Sequence, residues 1–430
     1  MRNRIGKFAC LITLLPVALL LASCLLPQRS ENKQPNNRIL PAAAIDPIDP
    51  LLLFSELKGR KVITGGWADY KYGGEGLTYA DPEYPIIISD ELFQDPIEKF
   101  EAFLEAIDLK DQQVFIIVSG DVDFSRGKIT DAPGHTPGVS DYSRNRQFSL
   151  GSSNTTIIGI NNARLKYGGL RILDRQNIII RNITFWDARD TQNDPGLDHL
   201  QVDGESTFGV WLNHVKFTSG INDFRIGGDW HDTLLGFDCG TATISWCEFT
   251  NANEVLLVGG GDGGERPRKA SEEELYRLRA RRRVTLHHNY FHSARDRMPQ
   301  TRSTQMHIYN NFYRNIWWHA MAPGVNAHFV VQNNFFHSIR GNRAVHWRTL
   351  HKTRAGAVLW HSGNTGAAIS KWRSWPAVVL ADSNPMPWNP LDFYTYTLDE
   401  DVNGLLKVIP GRAGPSLKTI EDFLGDHIIN

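Results

Sequence analysis

The feature that most restricts the fold is a recurrence. Short runs rich in β-branched and aromatic residues each close on an aromatic. NIIIRNITF ends at Phe185, FGVWLNHVKF at Phe217, TATISWCEF at Phe249, RRVTLHHNYF at Phe291, QMHIYNNFY at Tyr313 and AHFVVQNNFF at Phe336. The steps between these aromatics are 32, 32, 42, 22 and 23 residues. A basic coil of about 22 residues, lengthened where loops are inserted, accounts for every step. Helical repeats would need apolar residues three and four apart, and these runs lack that spacing. Short strands and turns at this period predict an all-β chain: a right-handed parallel β-helix with an N-terminal cap and an irregular C-terminal tail.

The polar residues before the closing aromatics, Asn182, Asn213, Asn289, Asn311 and Asn334, are expected to stack at a bend and bond neighbouring backbone. Cys247 interrupts that series. EKFEAFLEAIDL (98–109) has helical spacing, with Phe100, Phe103, Leu104 and Ile107 on one side, and reads as the cap over the open end. QQVFIIVSGDVDF (112–124) reads as the first long strand. The 42-residue step contains GDGGERPRKASEEELYRLRARRR (261–283), where Ser271 and Glu274 have capping-box spacing. Its arginines read either as a solvated lid or as a cationic rim that attracts a polyanion. Past Phe336 the pattern fades into a tail that ends in a short helix within LKTIEDFL (417–424).

The N-terminus carries Arg2, Arg4 and Lys7, an apolar run from Phe8 to Leu21, then Ala22, Ser23 and Cys24. That is the signal-peptide pattern, and the apolar core is short for a spanning helix. LASC (21–24) resembles a bacterial lipobox, with Cys24 the lipidated residue. The expected organisation is a signal at 1–23, a tether at 24–53 and one β-helix domain at 54–430. The body is then exported and held at the outer membrane or cell surface of a bacterium by its lipid alone. Cys239 and Cys247 either form a disulfide or sit as small buried groups. A formal net charge of -1 gives no case for nucleic acid, and a monomer is expected.

Between the runs closing at Phe291 and Tyr313 lies a tight charged loop, ARDRMPQTR (294–302). Strands on both sides would hold its side chains still. From about Lys61 through IIVSGDVDF, NTTIIG, NIIIRNITF, DHLQVDG and VWLNHVKF to RDRMPQTR, the chain resembles the pectate lyase superfamily, polysaccharide lyase family 1. The tail beyond 345 is outside that resemblance. The resemblance implies calcium-dependent cleavage of polygalacturonate or a related polyuronide by β-elimination. This chemistry needs a neutralised carboxylate beside the acidic proton, a base, and stabilisation of the enolate-like charge.

By the same resemblance Arg297 stands at the catalytic base position and Arg302 at a substrate-carboxylate position, with Arg295 an added cation. An arginine base is demanding, because guanidinium normally stays protonated. Asp198 matches the principal calcium aspartate, and Asp194 is placed to reach in from its loop. The next coil should carry two carboxylates four positions apart. Asp232 fits the first, Gly236 occupies the second, and Asp238 is the nearest substitute. A calcium site from Asp198, Asp232 and Asp238 is therefore expected. Glu254 stands where the family has a substrate-binding lysine, a charge reversal that calcium or an arginine such as Arg225 must compensate. Trp317 and Trp318, one coil after the arginine loop, are candidates for stacking on sugar rings. His287 and His288 are expected on opposite faces of one strand and not as a metal pair. Two other readings stay open: a β-helix hydrolase using paired carboxylates, and a lyase-derived protein that binds glycan without cutting it.

Overall fold

The structure is a computed structural model describing residues 47–70, 76–129, 147–188, 197–221, 225, 231–238, 240–259, 271–342, 344–345, 357–366, 379–381 and 384–425. Cys24, Asp194 and Cys239 lie outside these residues. Parallel strands dominate, arranged in a seven-stranded and a seventeen-stranded sheet. In the smaller sheet the strands follow chain order: Gln147–Ser149, Gly169–Leu173, Leu200–Asp203, Thr233–Phe237, Glu254–Val258, Gln300–Thr301 and Ala322–Pro323. Each is one coil further along, so the right-handed parallel β-helix expected from the repeat is the observed architecture.

Register explains which residues face inward. Leu170, Leu200, Leu235 and Leu256 stand opposite one another in successive strands of the smaller sheet, all 0% exposed. Because side chains alternate, the next column, Arg171, Gln201, Gly236, Leu257 and Gln300, lies on the outer face. The closing aromatics form one internal stack. Ring centroids from Phe185 through Phe217, Phe249, Phe291 and Tyr313 to Phe336 are 5.0, 5.2, 4.9, 4.8 and 4.7 Å apart, with nearly parallel planes.

The asparagine series needs a correction. The ladder occupies the position two before the closing aromatic at Asn289, Asn311 and Asn334 and ends on Asn364, with the Nδ2 of each of the first three donating to the next Oδ1 at 2.9 Å. Cys247 is the rung before them, its N–H donating to Asn289 Oδ1 at 2.9 Å. Asn182 and Asn213 are not rungs, because they sit one and two residues earlier in their runs. Asn213 Oδ1 accepts from Arg181, and Asn182 takes a left-handed φ of 55° at the bend. Left-handed residues recur at that bend as His214, Trp246, His288, Asn310 and Asn333. His288 therefore follows the end of the strand Arg282–His287 and does not lie on its opposite face. Its Nδ1 is 2.9 Å from that of His287, and its Nε2 meets Asp399 at 3.1 Å. The pair fastens the C-terminal segment to the coils.

The helix Pro96–Asp108 caps the open end with Phe100, Phe103, Ala106 and Ile107 buried, and Asp95 accepts from Ile97 N–H at its start. The C-terminal helices Leu405–Arg412 and Ile420–Gly425 lay Ile409 and Phe423 against the outside of the stack. Arg181, wholly buried, bonds Asn213, Tyr79 and the carbonyl of Phe423, joining the segments around Tyr79 and Phe423 to one coil. Cys247 is free and buried, and burial pushes its thiol up to about 12.

The insertion forms the helix Glu272–Ala280, with Ser271 Oγ accepting from Glu274 N–H. Arg266 and Arg268 lie outside the described residues, and the described arginines are paired. Arg279, Arg282 and Arg283 are buried and bond Asn326, Asp238 and Gln305, while Arg277 and Arg281 pair with Glu273 and Glu205.

Asn311 sits inside the ladder and also donates to the carbonyls of Leu286 and Tyr309. Asn311→Ala removes those bonds and leaves buried partners unsatisfied, at a cost of about 2–4 kcal/mol in urea unfolding. Asn364→Ala, at the half-buried last rung, is expected to cost about 1 kcal/mol. Equal losses would mean the ladder carries no cooperative share.

Candidate functional site

The outer face of the seven-stranded sheet gathers the sequence candidates, and the way each strand begins decides which of them meet. Asp198 lies two residues before the strand Leu200–Asp203, Asp232 one residue before Thr233–Phe237, and Glu254 begins the strand Glu254–Val258. All three are half-buried along the same leading edge of the sheet. In the next coil Asp296 bridges Glu254 in parallel register.

Arg297 is delivered to this edge by a bulge. Glu254 pairs with Asp296 and Leu257 with Gln300, so two residues on one strand (255 and 256) face three on the other (297, 298 and 299). Arg297 has a left-handed φ of 61°, and its carbonyl still accepts from Leu256 N–H at 2.7 Å. An extra residue of this kind re-aims a side chain while the sheet on either side stays paired. The guanidinium of Arg297 forms an ion pair with Glu254, each side chain 23% exposed. The charge reversal at Glu254 is thus compensated by Arg297 itself.

The calcium candidates divide. Asp232 and Asp238 bracket the five-residue strand Thr233–Phe237. Six residue steps at the strand rise put them about 20 Å apart, too far to share one ion. Asp238 instead pairs with Arg282 at 3.0 Å. Asp238 is therefore removed from the expected metal set, because a strand separates it from the others. Asp198 and Asp232 remain on the shared edge. Among the described residues no group of three His, Cys, Asp or Glu side chains could hold a metal ion. Two carboxylate donors have the right chemistry for calcium, which completes its shell from water and ligand oxygens, but they do not form a cage.

Gly236 has a structural reason. A Cβ at this position would lie 2.1 Å from Asp198 Oδ2. The carboxylate of Asp198 thus occupies the space that a side chain from the next coil would fill.

A buried cluster missed by the sequence reading lies beside the two aspartates. His231, next to Asp232, meets Asp187 at 2.7 Å, and its ring stacks 6.1 Å from that of His199, next to Asp198. Burial, reinforced by His231, lowers His199 to about 3, so it is a neutral ring that packs. Nothing in the spacing of FWDAR, DHL and DWHD marks these three as neighbours; only coil stacking brings them together. Asp203 pairs with Arg171 at 2.7 Å, while burial raises its carboxyl.

Arg302 lies beside Gly259, with Nη1 3.4 Å from its carbonyl, at the opposite edge of the sheet. Glu254 to Gly259 is five strand steps, so Arg297 and Arg302 sit about 16 Å apart along the outer face. Exposed Arg295 stands over the ring of Trp318 at 5.5 Å. Trp317 meets Arg340 of the following coil at 5.6 Å. Arg225 lines a cavity with Trp317 and Arg340 on the flank of the coils.

Residues 61–388 match the family model described as pectate lyase, which reaches past 345, where the sequence resemblance ended. A pectate trisaccharide-lyase of Thermotoga sp. (strain RQ2) is 36% identical over 163 residues, covering 37% of this chain and 40% of that protein. A pectate trisaccharide-lyase of Bacillus licheniformis is 25% identical over 265 residues, covering 61% and 67%. The chain thus spans about two fifths of the length of the Thermotoga relative. A thermostable pectate lyase superposes with a TM-score of 0.61 at 23% identity, covering 83% of this chain and 99% of that one. A pectate lyase bound to a hexasaccharide gives 0.60 at 17%, covering 83% and 98%. At these identities the structural likenesses establish the fold.

Gly236→Ala should move the Asp198 carboxylate, the flexible side of that contact, while changing stability by no more than about 1 kcal/mol. A crystal structure of the variant with Asp198 unmoved would refute the packing reason given for this glycine.

Proposed function

Since this chain belongs to the pectate lyase family, we propose that it cleaves polygalacturonate or a closely related polyuronide by β-elimination, with Arg297 at the reacting centre. The observation that carries this reading is the bulge that aims Arg297 outward beside Glu254, on a sheet whose leading edge also bears Asp198 and Asp232.

In the reaction a proton leaves the carbon next to the sugar carboxylate. A carbon–carbon double bond forms, and the bond from the adjacent carbon to the glycosidic oxygen breaks, with that oxygen taking a proton. Arg297 is the base, and Glu254 fixes the direction of its guanidinium. A uronate carboxylate competes with Glu254 for the same N–H groups, so binding of the polyanion and release of Arg297 are coupled. Arg302, about 16 Å along the sheet, suits the carboxylate of a sugar further along the chain. Arg295 with Trp318 supplies a cation and an aromatic face at the wall. Asp198 and Asp232 would hold a calcium ion, which when bound neutralises uronate charge. The incomplete carboxylate set implies weak calcium binding that substrate oxygens strengthen.

One observation favours a second reading, a lyase-derived protein that binds polyuronide without cutting it. The arginine at the base position already contacts a carboxylate. Formation of unsaturated product separates the two. With polygalacturonate and millimolar calcium, absorbance of the unsaturated product should rise. It should fall about 10²–10⁴-fold in Arg297→Ala and disappear with a chelator. Folded protein that binds polygalacturonate and yields no unsaturated product would establish the second reading.

The export reading rests on the LASC segment. In this proposal the protein is a monomer anchored through lipid on Cys24. Metabolic labelling with radioactive palmitate should mark the full chain and fail to mark Cys24→Ser; equal labelling of both would refute the anchor.

A further inference from the structure

A second column of left-handed residues stands at the end of the short aromatic strands, one residue beyond Glu248–Thr250 and one before the last residue of Tyr290–Ala294, Phe312–Ile316 and Phe335–Ile339. Asn251, Ser293, Asn315 and Ser338 have φ values of 53°, 49°, 54° and 54° in four successive coils. At the spacing of neighbouring strands this column extends about 14 Å along the helix axis. It lines a cavity of about 810 Å³ on the flank of the stack, together with Trp317, Arg340 and Arg225. Ile316 and Ile339 alternate with the polar column. Trp317 is 41% exposed, and its ring lies 5.6 Å from the guanidinium of Arg340.

Each component has a chemical preference. Amide and hydroxyl side chains at even spacing suit a ligand that presents hydroxyls at intervals. An exposed indole stacks on the apolar face of a sugar ring. Exposed Arg340, with no carboxylate among the described lining residues, favours an anionic ligand.

We propose that this flank groove is a second binding site for an acidic oligosaccharide, separate from the sheet face that carries Arg297. The consecutive tryptophans divide the two surfaces: Trp318 meets Arg295 of the preceding coil, and Trp317 meets Arg340 of the following one. A site there holds a polymer near the cleft without entering it. Choosing a uronate as the acidic sugar rests on the proposed function; the groove itself does not.

The test uses the full chain in mild detergent with Arg297→Ala, so that no ligand is consumed. Hexagalacturonate is titrated calorimetrically into this protein and into the same protein carrying Arg340→Glu or Ser338→Trp. Arg340→Glu reverses an exposed charge, and Ser338→Trp fills the groove. Each should remove one binding event or weaken it about tenfold, with thermal unfolding unchanged. An uncharged galactose hexamer should bind the Arg297→Ala protein at least about tenfold more weakly than hexagalacturonate. Unaltered binding in both groove variants, or equal binding of the neutral hexamer, would overturn the proposal. Lyase activity is read separately on the protein with Arg297 intact, so failure of the catalytic reading leaves these binding results interpretable.

Discussion

Register between coils is the constraint on which the rest depends. A parallel coil offers its neighbour a full set of backbone donors and acceptors, but backbone pairing alone would tolerate a slip. Here the slip is blocked from inside. Asn289, Asn311 and Asn334 each bind the next rung, and the stack from Phe185 to Phe336 keeps rings about 5 Å apart. A displacement of one residue would break the ladder, leave buried amides unsatisfied and turn the core column outward. With the register held, residues far apart in sequence become fixed neighbours, as Glu254 and Arg297 are.

That pair changes how the charge reversal at Glu254 should be understood. A lone carboxylate beside a polyanion repels it, whereas a carboxylate already joined to a guanidinium contributes little net field. The pair leaves both side chains partly exposed at the edge of the sheet. Its geometry depends on the single extra residue between Asp296 and Gln300, since an unbulged strand would alternate its side chains differently along the same edge.

Much of the site was legible because its chemistry is local. Arg297 and Arg302 fall in one short loop, and the strands on both sides were evident from their β-branched pattern. What misled was offset. Asn182 and Asn213 share a residue type with the ladder but not its distance from the closing aromatic, and the chain geometry at the bend depends on that distance. Asp238 lay near Asp232 in number, yet a fully extended strand separates them. The buried cluster of Asp187, His199 and His231 left no trace in the sequence, because His231 comes from the coil after the one that carries the other two. Likewise Arg279, Arg282 and Arg283 counted as charge in the sequence and prove to be partners of Asn326, Asp238 and Gln305.

By itself the sequence determined the repeat, the parallel β-helix it forces, the cap over its end and the loop that presents Arg297. These follow from period, side-chain shape and composition, which act over a few residues at a time. Tertiary structure alone decided that Glu254 compensates with Arg297, that Asp238 belongs to Arg282, that Gly236 yields its space to Asp198, and that a polar column lines the flank. Those outcomes depend on which coil lies against which and at what register. That is set by contacts between segments about 22 to 42 residues apart, and no single segment contains them.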